Sequence, residues 1–246
     1  MLNMSNSKQA FSPTYVWPNP AFPFRVYYES SKCRIFIIEN IQHNWEWLSK
    51  WHERIKETDF FFVIGGWYHS PQFANEAKTI FEILNLDKTR FFFLFNSHLE
   101  QSNFSRHGFV GAVIGHNAWL DENLVMKPIS SKKIYHAIYV ARRSQFKRHY
   151  LAGKVRHLAL VAGINHGNAI ADIPSHDYIN DQPLNPDEVC YKINEAYCGL
   201  ILSASEGACF ASGEYLLCGI PVVSTSSTGG RDEWYNEYNS IVCEPA

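Results

Sequence analysis

The chain has 246 residues, with 22 Lys and Arg against 24 Asp and Glu and a formal net charge of −2, a near balance that gives no general attraction to nucleic acid or anionic membrane. The length suffices for one large or two modest domains with a real core, while the longest apolar runs, such as FFFVI at 60–64, are far too short to span a bilayer. Six cysteines, at 33, 190, 198, 209, 218 and 243, form no CxxC pair, which argues against a disulfide scaffold or zinc site and for buried thiols in a reducing compartment such as the cytoplasm.

The first two dozen residues are polar at the start, without the layout of a secretory signal, and then carry Pro13, Pro18, Pro20 and Pro23. Proline blocks helix and central-strand pairing, so residues 1–24 read as an extended arm pinned by Phe11, Trp17 or Phe22. Strands are expected at 25–28 and 34–39. The run NWEWLSKWHERIKE then places Trp47, Leu48, Trp51 and Ile55 on one helical face and Glu46, Lys50 and Glu53 on the other. A strand at 59–64 enters a glycine turn, followed by a helix at 72–84, a strand at 90–96, a polar loop at 97–108 and another strand to 115. Alternation of this kind predicts a parallel, doubly wound sheet for 25–116.

Residues 120–133 read as a linker between a first domain, 1–128, and a second, 129–246. Alternation restarts with a strand at 133–141, a helix at 146–152 and a strand at 155–163. After a histidine-bearing loop and a short strand at 177–179 comes Asn185-Pro186-Asp187-Glu188. This is a clear helix start, with an N-cap Asn, proline in the first turn and acids at the positive end of the dipole. That helix is expected to turn Val189, Ile193, Ala196 and Tyr197 inward.

The most informative stretch is LILSASEGACFASGEYLLCGIPVV at 200–223. It reads as a strand, a small-residue turn, a helix and a second strand. Glu206 lies in the turn and Glu214 in the helix, eight positions on. An acidic, glycine-bearing turn at the carboxyl end of a βαβ strand is where an open α/β sheet binds a ligand. The unpaired amides of Gly207, Ala208, Cys209 and Phe210 at the helix start suit an anionic group. Glu214 lies about 7–8 Å along the helix axis from that end.

The stretch from Ser205 to Ser224 resembles the E-x7-E segment of the retaining glycosyltransferases of the GT-B fold, the group-1 or family 4 class. YVARRSQFKRH at 139–149 is similar to that family's phosphate-binding segment, with Arg142 and Lys147 in the positions of its Arg and Lys; Ala141 stands where glycine is usual, and Arg143 and Arg148 are extra. STGGRDEWYNEYNSIVCEP resembles its tail, with Gly229, Gly230 and Glu233 coinciding and Arg231 and Asp232 departing from it. Asn117 and Pro128 match the passage before its second domain.

The resemblance implies an α/β protein with two Rossmann-like, doubly wound parallel-sheet domains facing across a cleft, the first one reduced. It implies transfer of a sugar from a nucleotide diphosphate sugar to a hydroxyl of a sugar or lipid-linked acceptor, with retention, in polysaccharide or glycoconjugate assembly. Glu206 would orient the donor sugar, Glu214 would hold the ribose, Arg142 and Lys147 would neutralise the leaving diphosphate, and the Ile179 backbone would meet the base. Gly229 and Gly230 would let a loop approach the sugar. In the first half no early glycine-rich loop stands out; Gly65-Gly66 is the nearest substitute, and His98 is the candidate cleft histidine, with His116 its rival.

No Asp-x-Asp triad and no H-x3-H spacing occur, so no metal and no cofactor beyond the donor is expected. The location expected is cytoplasmic, with peripheral membrane association open. The family continues past the last strand with further helices, so a chain ending at Ala246 is expected to be a compact variant or a truncated one. Two rival readings stand beside transfer: a GT-B nucleotide-sugar epimerase or hydrolase, and a non-catalytic member binding a nucleotide or a partner.

Overall fold

The computed structural model describes residues 14–15, 24–65, 68–120, 125–162 and 172–245. Most of the expected proline-rich arm, Gly66, residues 121–124 of the expected linker and His166 lie outside these. The chain forms two compact units, one made of 1–95 and 101–113 and the other of 96–100 and 114–246. The second unit thus begins earlier than the boundary read from the sequence.

The first unit holds strands β1 (Thr14–Tyr15), β2 (Phe24–Glu29), β3 (Arg34–Glu39), β4 (Asp59–Ile64), β5 (Phe91–Phe95) and β6 (Val110–Val113) in one sheet, side by side in chain order. β1–β2–β3 pair antiparallel and β3 to β6 pair parallel. Parallel strands that advance in one direction through right-handed crossovers put every crossover on the same face. Accordingly α1 (Trp45–Trp51), α2 (Pro71–Ile83) and α3 (His98–Ser105) supply Trp47, Leu48, Phe73, Phe81 and Phe104 to one cluster with Phe36, Phe61, Phe91 and Phe93. Phe61 stacks on Phe91 at 4.4 Å between ring centroids. The alternate side chains Phe60, Phe92 and Val110 remain exposed. The reduction expected for this domain takes the form of a missing layer among the described residues.

One difference from the sequence reading is α3, which replaces part of the loop expected at 97–108. Its start is stabilised locally: Glu100 N–H donates to Ser97 Oγ at 3.1 Å and the Glu100 carboxylate accepts from Asn96 N–H at 2.7 Å. Ser97-His98-Leu99-Glu100 is the S-x-x-E capping signature, and it was legible in the sequence.

The second unit contains β7 (Tyr135–Val140), β8 (Leu158–Val161), β9 (Tyr178–Ile179), β10 (Ala196–Ile201), β11 (Val222–Thr225) and β12 (Ser240–Cys243), ordered β12-β11-β10-β7-β8-β9. All pairings are parallel. Numbered from β7, this is the 3-2-1-4-5-6 order of a doubly wound sheet, whose direction reverses between β7 and β10. Buried side chains form a cluster on each face, one around Tyr215 and Ile193 and the other around Tyr139 and Leu200. α4 (Pro186–Asn194) opens as expected, with a reciprocal Asn185–Glu188 capping box. It ends sooner than expected, so Ala196 and Tyr197 fall in β10 and Tyr197 is exposed.

The helix expected at 146–152 is instead two 3-10 turns, Gln145–Lys147 and His149–Ala152. Between them Arg148 adopts a left-handed φ of 50°, and its guanidinium donates to Leu202 O and Thr225 Oγ1. Those tertiary bonds override the local helical preference. No helix among the described residues is long and apolar enough to cross a membrane.

Candidate functional site

The reversal point between β7 and β10 is where a doubly wound sheet leaves room for a ligand beyond the strand ends. Both segments singled out in the sequence emerge there. Arg142 and Lys147 follow β7, and Glu206 follows β10.

A cavity of about 350 Å³ is lined by Val140, Ala141, Arg142, Lys147, Val161, Ala162, Pro183, Leu184 and Val189. Its wall combines two cations with an apolar floor, the mixture that a nucleoside diphosphate needs. Arg142 lies over the Phe146 ring at 5.6 Å and Lys147 at 5.0 Å. The loop beyond β9 is shaped by Asn180, whose side-chain amide accepts from Ala162 N–H and donates to Ala162 O, both at 2.8 Å. Ile179 sits in β9 beside Leu160, while Pro183 and Leu184 of the next loop line the cavity.

Glu206 is buried, its side chain only 8% exposed. Lys147 pairs with its Oε1 and Arg231 Nη1 with its Oε2 at 3.4 Å, and Ser203 Oγ donates to the same oxygen. Burial by itself would push this carboxyl up. The Lys147 charge and hydrogen bonds from Lys147, Ser203 and Cys209 outweigh burial and hold it below the ordinary value. The Glu206 main chain is fixed as well, its N–H donating to Thr228 O at 3.0 Å, next to a bridge between Ser205 and Thr228.

After Glu206 the backbone runs through Gly207 and Ala208 to Cys209, which has a left-handed φ of 53° and opens α5 (Phe210–Leu217). Among the described residues, the N–H groups of Gly207, Ala208 and Cys209 meet no acceptor. Successive free N–H groups at a helix start make an anion-binding concavity. Asn117 Nδ2 donates to Ala208 O at 3.0 Å and so helps set the course of the loop. Glu214 is half-buried on α5 with no side-chain hydrogen bond or ion pair among the described residues, and burial pushes its carboxyl up.

Gly229 and Gly230 have φ of 117° and 101°. A Cβ on Gly230 would lie 2.5 Å from Ser97 Cβ, so the turn that follows, Arg231–Trp234, depends on glycine there. Its two ends do different things. Arg231 reaches Glu206, while Glu233 accepts from His98 N–H at 3.2 Å and meets His98 Nδ1 at 2.9 Å. The His98 side chain is 82% exposed. His116 is buried, its N–H donating to Asn96 Oδ1 at 3.1 Å. Ser203 and Arg231 were without a role in the sequence reading; the available signal was an arginine and an acid set into an otherwise matching glycine loop.

No protein-family model matches the chain, and no curated protein matches it by sequence. Solved structures do. Sucrose-phosphate synthase from Thermosynechococcus elongatus superposes with a TM-score of 0.61 at 13% identity, over 86% of this chain and 60% of that one. HepE from Anabaena, in complex with UDP and glucose, gives 0.55 at 16% over 85% and 64%. An α,α-trehalose-phosphate synthase (UDP-forming) from Burkholderia vietnamiensis gives 0.55 at 8% over 85% and 61%.

The fold is GT-B.

The chain therefore spans less than two thirds of the length of these GT-B structures. At such identities the likeness concerns the fold, with its largely parallel sheets and its second unit wound in the 3-2-1-4-5-6 order.

Proposed function

We propose that this chain is a glycosyltransferase that takes a sugar from a nucleotide diphosphate sugar and passes it to a hydroxyl acceptor. One observation carries the reading. At the switch point of the second sheet, a cavity with an apolar floor is lined by two cations, Arg142 and Lys147; Lys147 pairs with the buried carboxylate of Glu206, and the N–H groups of Gly207 to Cys209, next in the chain, meet no acceptor among the described residues. The apolar floor would take the base, with Pro183 and Leu184 as its neighbours. Lys147, Arg142 and the free N–H groups would hold the diphosphate and take up its growing negative charge as the glycosidic bond breaks. Glu206 would fix the donor sugar through its hydroxyls and Glu214 the ribose. Retention, the metal-independent course and His98 as a contact to the sugar follow from the family resemblance and belong to the same proposal, as does a role in polysaccharide or glycoconjugate assembly.

UDP in the HepE complex makes UDP-sugars the first donors to test, followed by ADP- and GDP-sugars. A specific binder at a hundredfold excess over Kd adds about 2.7 kcal/mol to apparent stability, which a thermal shift resolves readily. Donor turnover is then followed with and without an acceptor pool, in EDTA. Acceptor-dependent turnover that survives the chelator is the expected result. Consumption without acceptor points to a hydrolase or epimerase, binding without turnover points to a non-catalytic member, and no stabilisation by any nucleotide sugar overturns the donor site itself.

A further inference from the structure

Glu206 has two cationic partners that differ in kind. Arg231 is fully enclosed, its side chain 0% exposed, and every nitrogen of its fork is engaged. Nη1 donates to Ser203 O and Ser203 Oγ at 3.2 Å each as well as to Glu206, Nη2 donates to Thr225 O, and Nε donates to Asp232 Oδ1 at 3.1 Å. Asp232 in turn accepts from Ser227 N–H at 2.7 Å, and Ser227 Oγ accepts from Glu206 N–H at 3.2 Å. The ring closes on Glu206 from both its side chain and its main chain, and it leaves Arg231 no freedom.

Lys147 is the opposite case. Its side chain is 14% exposed on the cavity wall, and it offers one ammonium on a flexible stem. Its main chain is fixed, with Lys147 N–H donating to Ser144 O at 3.0 Å and Lys147 O accepting from Tyr139 OH at 2.6 Å, while its ammonium is held by Glu206 and the Phe146 ring face. A diphosphate entering the cavity competes with Glu206 for this ammonium. If Lys147 were the sole partner, its departure would leave a buried carboxylate unpaired beside an incoming anion, which is strongly unfavourable.

We propose that Arg231 is a positioning residue for Glu206, holding its carboxylate in place and charge-paired while Lys147 turns to the diphosphate of the donor. This rests on the donor-site reading above and deepens it. The exchange makes and breaks no covalent bond. Lys147 gives up one ion pair and forms another, and Arg231 keeps the carboxylate from drawing a proton out of solvent.

The test follows that proton. The groups facing Glu206 are Lys147, Arg231, the Cys209 thiol and the Tyr139 phenol. Burial keeps the last two protonated, with Cys209 pushed up to about 12. His149, near Lys147, is held down to about 4. The probe is whichever of UDP, ADP or GDP stabilises the wild-type protein most. Its binding is measured at pH 7 by calorimetry in two buffers of different ionisation enthalpy.

Wild type is expected to bind without proton uptake. Arg231→Gln is expected to take up close to one proton per nucleotide, and the acid limb of its donor turnover to move up by about one pH unit or more. Arg231→Gln combined with Glu206→Gln is expected to take up none. Should Arg231→Gln not fold, Arg231→Lys carries the test. It keeps the charge and loses the fork, and its acid limb should stay within about 0.5 unit of wild type. Proton-neutral binding by Arg231→Gln with an unmoved limb overturns the proposal, as does an Arg231→Lys variant as impaired as Glu206→Gln. Absence of stabilisation by all three nucleotides overturns the donor site, and this inference with it, and that outcome is seen before any variant is made.

Discussion

Glu214 is half-buried without a side-chain partner among the described residues, and burial pushes its carboxyl up from the ordinary 4.5. A folded-state value raised above the unfolded one stabilises the protein below pH 4.5, and that contribution is lost as pH rises through the raised value. At pH 7 the ionised group is a cost that ribose hydroxyls would offset on binding. Glu214→Gln is expected to raise the melting temperature of the ligand-free protein at pH 7 and not at pH 4, while weakening nucleotide-sugar binding by about tenfold or more. Unchanged affinity in calorimetry would remove Glu214 from the site.

His149 carries the converse case. It is buried against Tyr139 at 4.8 Å between ring centroids, and burial, reinforced by Lys147, holds its imidazole down from 6.5 to about 4. The unfolded chain therefore binds a proton between those values that the folded chain refuses. Stability should fall as pH drops from about 6.5 to about 4, by an amount on the order of 3 kcal/mol for this residue. In His149→Leu the decline in melting temperature over that window should be shallower; an identical slope would mean that other groups carry the acid sensitivity.

At the scale of elements, the two sheets show what strand order does to a face. In the first, sequential order leaves Phe93 fully buried and Phe92, its neighbour on the same strand, 37% exposed. Phe93→Ala should cost about 3–5 kcal/mol through the cavity it leaves, and Phe92→Ala less than about 2 kcal/mol, as read from urea midpoints. Equal costs would mean that the second face is covered after all. In the second sheet the reversal between β7 and β10 brings the loops after those strands together, so that Lys147 of one pairs with Glu206 of the other. The helix start at Asn185 was read from the side chain that caps it, whereas Ser97 caps α3 within a stretch read as loop. The break at Arg148 was not readable, because its cause lies in Leu202 and Thr225, 54 and 77 positions away.

For the whole molecule, the aromatic core of the first unit and the two cores of the second share no residue. The proposed donor contacts all lie in the second unit, apart from any made by the acceptor. Hydrogen exchange with and without the best-binding nucleotide is expected to show added protection around 140–147, 180–189 and 203–214, with β2 to β4 unchanged. Protection concentrated in β2 to β4 would place the nucleotide elsewhere.

The sequence by itself determined the α/β alternation and the βαβ unit at 200–223. Both are written in local periodicity, turn chemistry or contiguous motif. Only the tertiary structure decided that the first sheet is covered on one face, that Glu206 shares Lys147 with a cavity, and that Arg231 closes the ring behind it. These depend on strand order and on partners from 25 to 59 positions apart, and a linear pattern carries no record of which distant donor will reach a buried carboxylate.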